Sequence, residues 1–108
     1  MTVAPFRIDV PDSVLDDLAQ RLARTRYLAG PQDWDHGTNS AYLEALCGTW
    51  RSGYDWRRQE QALNGFRHFR AEIGGAGLHF LHQRGPGPDP IPLLLIHGWP
   101  DSFAASSR

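Results

Sequence analysis

A chain of 108 residues has room for one small domain, and 41% hydrophobic residues place it among folded rather than disordered chains. Eleven basic residues, every one Arg, stand against twelve acidic ones; the net charge of -1 excludes the basic face that nucleic acid requires. The lone Cys47 excludes an internal disulfide scaffold, no signal peptide opens the chain, and the longest apolar run falls short of the ~20 residues that cross a bilayer, so a cytoplasmic protein with no membrane contact is expected.

Phe6, Ile8 and Val10 alternate with Arg7 and Asp9 between Pro5 and Pro11, which predicts an extended start. Asp12 or Ser13 then caps a helix over 12–28, whose buried stripe is Leu15, Leu18 and Leu22. Arg21, Arg24 and Arg26 form its solvated face. Ala29-Gly30-Pro31 stops it. A loop with Trp34 follows, in which Asp33 and Asp35 serve the turn. Helical periodicity resumes over 40–64. Cap candidates there are Thr38, Asn39 and Ser40, the apolar stripe is Tyr42, Leu43, Leu46 and Trp50, and Gly53 makes a break before a short third helix. Near Phe66 the apolar period changes from 3.6 to 2, predicting three strands within 69–96. Two of them form a hairpin around Gly74-Gly75-Ala76-Gly77. The third, Ile91–Ile96, is apolar on both faces and reads as a strand buried inside a sheet.

His97-Gly98-Trp99-Pro100 is the candidate site. A sharp turn at a strand's end can aim a backbone N–H at developing negative charge. Gly98 permits the tight backbone, and Pro100 removes a competing donor, with a Trp-Pro bond open to the cis form. Other combinations are weaker. His79 and His82 lie three apart in a strand and face opposite ways, so no metal site is expected. Ser102, His97 and Asp101 are neighbours in sequence, whereas a triad gathers its members from separate loops. Cys47 sits in an apolar helical pattern as a buried structural thiol.

The run Phe6-Arg-Ile-Asp-Val-Pro-Asp12, Leu22-Ala-Arg-Thr-Arg26, Trp34, Gly37, Trp50, Tyr54-Asp-Trp-Arg57, Leu63-Asn64, Leu78-His-Phe80 and His97-Gly-Trp-Pro100 carries a resemblance. From Pro5 to Phe103 the chain resembles the N-terminal region of the microsomal-type epoxide hydrolases, which are α/β-hydrolases. The resemblance implies an α/β fragment: a helical meander over 1–66, the first sheet strands over 67–96 and the turn at 97–100. It implies that Trp99 offers its backbone N–H to an oxyanion, with His97, Gly98 and Pro100 supporting the turn. It implies epoxide opening through an ester on an Asp nucleophile, two lid tyrosines, and no cofactor. Arg67 stands where the family usually has Pro, and Asp101 where Gly is usual. Residues 104–108 depart from the pattern, as a truncated product would. Nucleophile, base and lid tyrosines have no matching positions, so the chain is expected to be inactive alone, meeting an epoxide substrate only in a full-length context. The alternative expectation is a structural or binding module that packs on an α/β-hydrolase core. Association with such a core, or with itself, is expected from the apolar strand.

Overall fold

The computed structural model describes residues 2–30 and 32–106; Pro31, expected as part of a helix stop, and the tail residues Ser107 and Arg108 lie outside them. Two compact units result, one built from the stretch up to Ile8 with Arg57 onward, the other from Asp9–Trp56.

The second unit is helical. Helix α1, Asp12–Ala23, starts without the expected side-chain cap: the Pro11 carbonyl accepts from Val14 and Leu15, and Asp12 is the first helical residue, placed to suit the positive end of the helix dipole. It also ends five residues before the expected 28. There the last turn tightens: Arg24 N–H reaches the Arg21 carbonyl as well as that of Gln20, Thr25 N–H closes on Leu22, and the Thr25 hydroxyl also donates to the Arg21 carbonyl. Leu15, Leu18 and Leu22 are its half-buried stripe, and Arg21 pairs with Asp17 on the exposed face. Helix α2, Ser40–Ser52, is capped as its sequence signals: Asn39 Oδ1 accepts from Tyr42 N–H at 3.0 Å, and Gly53 N–H closes on the Thr49 carbonyl. Cys47 is half-buried rather than buried; the nearby thiol, then some desolvation, holds the Tyr27 phenol above its ordinary value.

The first unit carries the sheet. Helix α3, Trp56–Leu63, holds buried Glu60, paired with Arg57 at 2.7 Å. Strands β1 (Thr2–Phe6), β2 (His68–Ile73) and β3 (Ala76–Leu81) form an antiparallel sheet in the order β1-β2-β3. The β2–β3 hairpin turns at Gly74 and Gly75, with φ of 58° and 83°. Two successive positive φ values are the type I′ pattern that matches strand twist, and Gly adopts them without steric cost. Alternation puts Val3, Ala71, Ile73, Leu78, Phe69 and Phe80 on one face, where Phe69 and Phe80 stack at 5.7 Å.

Two expectations are corrected. The sheet's third strand is the N-terminal β1 and not Ile91–Ile96, so residues 2–6 belong with the sheet and not with the helical meander. Ile91–Ile96 joins no ladder and is exposed, with Leu94 at 81% and Ile96 at 82%. An apolar strand needs a backbone partner on its edge and cover on its faces. Among the described residues none pairs with this segment.

Candidate functional site: the His97–Pro100 turn

The turn follows from local chemistry. The Trp99-Pro100 bond is cis, with Pro100 at the third position of a tight turn closed by Asp101 N–H on the Gly98 carbonyl at 3.1 Å. His97 Nδ1 donates to the same carbonyl at 2.9 Å. Trp99 projects into solvent at 94% exposure. Its backbone N–H has no hydrogen-bond partner among the described residues. The four residues singled out in the sequence therefore form one turn, in which the backbone N–H groups of His97, Gly98 and Trp99 have no partner among the described residues.

Downstream the chain is tied to itself. Asp101 Oδ1 accepts from the Ser102 N–H at 2.7 Å, and Ser102 Oγ and its carbonyl accept from Ala104 and Ala105. A short 3₁₀ turn, Phe103–Ser106, results. Among the described residues no hydrogen bond joins His97 to Asp101 or Ser102, so the sequence-adjacent trio is not wired as a triad. His79 and His82 face opposite ways, as strand alternation requires: His79 meets His68 and Phe103, while His82 meets Phe69.

The sequence reading missed a cluster that lies beside the turn. His68 is buried, at 4% exposure. Its Nε2 lies 2.7 Å from the Leu63 carbonyl, an atom that only accepts, so Nε2 carries the proton. In the neutral pair His68 Nδ1 then accepts from His79 Nε2–H at 2.9 Å. Partial burial, then the neighbouring His68, lowers the pKa of His79 from its ordinary value. Phe6 and Phe103 close around the pair. The signal for it was present: a turn at Gly74-Gly75 pairs His68 with Leu81 and Arg70 with His79, which puts both histidines on one face as diagonal neighbours.

An apolar trough of about 920 Å³ runs along this unit, lined by Val3, Ile73, Leu78, Leu94, Leu95 and Phe103 among others. No helix among the described residues is long and apolar enough to cross a membrane.

Comparison with known proteins assigns the chain. Residues 3–106 match the family model described as the epoxide hydrolase N terminus. A Stigmatella aurantiaca protein named among the epoxide hydrolases is 45% identical, over 93% of this chain and 23% of its own length. Epoxide hydrolase 1 of Oryctolagus cuniculus is 39% identical, over 94% of this chain and 24% of its own. The solved epoxide hydrolase of Aspergillus niger superposes with a TM-score of 0.85 at 34% identity, covering 96% of this chain and 28% of that one. The chain thus spans about a quarter of the length of these relatives. On its sequence along nearly its whole length, and on its fold, the chain belongs to the epoxide hydrolase N-terminal family.

Proposed function

We propose that this chain supplies the N-terminal helices, the first sheet strands and one oxyanion donor of an epoxide hydrolase, and that it turns over no epoxide by itself. The observation that carries the reading is the uncommitted Trp99 N–H on a closed turn, in a chain whose family match spans residues 3–106.

The chemistry follows from what one donor can do. Water opens an epoxide in this family through an ester on a carboxylate. Hydrolysing that ester passes through a tetrahedral intermediate, whose oxygen gains a full negative charge. A preorganised N–H aimed at that oxygen lowers the barrier by about 3–4 kcal/mol, equivalent to 10²–10³ in rate. The closed turn and the cis Trp99-Pro100 bond hold the N–H without the indole, so its alignment survives changes at that side chain. The donor acts on an intermediate that a nucleophile must first create. Among the described residues no nucleophile–base pair is wired around the turn: Asp101 accepts from the Ser102 N–H and the His97 ring donates to the Gly98 carbonyl. The substrate class, an epoxide, is met only together with the remainder of a hydrolase domain.

The test is diol formation from an aryl epoxide by the purified chain. The expected rate equals that of buffer. Turnover above buffer that is lost in Trp99→Pro, which removes the N–H, would overturn the claim of inactivity while supporting the assignment of the donor.

A further inference from the structure

The His97–Pro100 turn has no strand stem, because Ile91–Ile96 joins no ladder among the described residues. It is fixed from its other side. Asp101 N–H closes on the Gly98 carbonyl, the 3₁₀ turn begins two residues later, and its first side chain, Phe103, is half-buried against the sheet. The Phe103 ring stands edge-on to His68 at 5.6 Å and 89°, and to His79 at 4.8 Å and 66°. That seat is rigid. His68 is bonded at both ring nitrogens, to the carbonyl of Leu63, the last residue of α3, and to His79 on β3, and Phe6 of β1 packs on His79 at 5.3 Å. Aromatic edge contacts of this kind are directional, so they fix an orientation as well as a distance.

We propose that Phe103, seated on the His68–His79 pair, is the positioning residue that sets the direction of the Trp99 N–H. That this N–H meets an oxyanion rests on the function proposed above. The hydrogen bond from Asp101 to Gly98 carries the constraint across three residues, and the sheet supplies the fixed reference. The titratable and charged groups beside His79 are His68, bonded to it, and Arg70, its cross-strand partner, whose guanidinium lies by Gly77 and 3.7 Å from Glu72 on the same face. β1 contributes Phe6 and the 3₁₀ turn contributes Phe103, neither of which titrates. Protonating His79 places a charge against the Phe103 ring, and the turn registers that change through the ring.

The experiment uses the full 108-residue chain and reads amide–water exchange and 15N–1H shifts. In the unmodified chain, the Trp99 amide resonance is expected to follow the His79 ring with a common midpoint as the pH is lowered. In Phe103→Ala the Asp101 amide exchanges at least tenfold faster, and Trp99 no longer follows His79, although His79 still titrates. Phe103→Tyr restores both behaviours. A Trp99 amide indifferent to His79 in the unmodified chain overturns the proposal. So does unchanged Asp101 exchange in Phe103→Ala with the hairpin amides intact. If that variant loses the hairpin, the titration of the unmodified chain decides alone. None of these readouts uses turnover, so the outcome here and the outcome of the epoxide assay are independent.

Discussion

Asn64 gives Ile8 what a neighbouring strand would give. Its Nδ2 donates to the Ile8 carbonyl at 2.8 Å, and its Oδ1 accepts from the Ile8 N–H at 2.9 Å, across 56 residues of sequence. Both bonds are partly buried, so removing the amide leaves two backbone groups unpaired. Asn64→Ala is therefore expected to cost about 1–3 kcal/mol, read as a lower denaturant midpoint with an unchanged slope. His79 gives a pH dependence of fixed sign. Its folded pKa lies below the unfolded value, so the unfolded chain binds more protons between the two. The stabilising contribution is complete above the ordinary histidine value of about 6.5 and is lost as the pH falls toward the folded value. The melting temperature is expected to fall over that interval and to fall less in His79→Gln; identical curves for the two would remove His79 as the cause. At this scale the sequence disclosed residues whose role is local. Asn39 as a cap and Asp33 as a turn acceptor follow from their neighbours. Asn64 and His68 act across the fold, and only the pairing register reveals their partners.

At the scale of elements, the hairpin is the best-specified piece. Its two-residue turn demands positive φ at Gly74 and Gly75. Gly75→Val is expected to destabilise the hairpin by about 1–2 kcal/mol, and Gly75→Asn by clearly less, since Asn tolerates that region. Loss of the cross-strand contacts between Phe69 and Phe80 would report it by NMR. Equal stability of the two variants would contradict the turn type. The change of apolar period near Phe66 disclosed β2 and β3, and the leucine stripe disclosed α1. The end of α1 was not legible because it closes through tightened backbone bonds at Arg24 and Thr25, which apolar spacing does not signal. β1 was legible as extended but not as a sheet member: its partner β2 lies more than 60 residues away, and alternation does not name partners. Ile91–Ile96 was over-read for a related reason. Apolar character on both faces states what a segment requires, and not whether the same chain provides it.

For the whole molecule, the distribution of apolar surface is decisive. Ala71 alone is the buried apolar residue among the described residues, whereas Leu93, Leu94, Leu95, Ile96 and Trp99 are all exposed. Contiguous apolar surface of this kind drives association. The chain is expected to self-associate at high concentration, and Leu94→Lys is expected to reduce association more than it reduces helix content; a sharp monomeric sedimentation profile for the unmodified chain would contradict this. On the function proposed above, the rest of a hydrolase domain would cover this surface; the chain spans about a quarter of its relatives' length. The most direct measurement mixes the purified chain with the complementary C-terminal portion of an epoxide hydrolase from this family and follows diol formation. Activity is expected only in the mixture, with Trp99→Pro lowering kcat by about 10²–10³ and Trp99→Ala, which keeps the N–H, lowering it far less. Activity from the C-terminal portion alone, or a mixture indifferent to Trp99→Pro, would contradict the account.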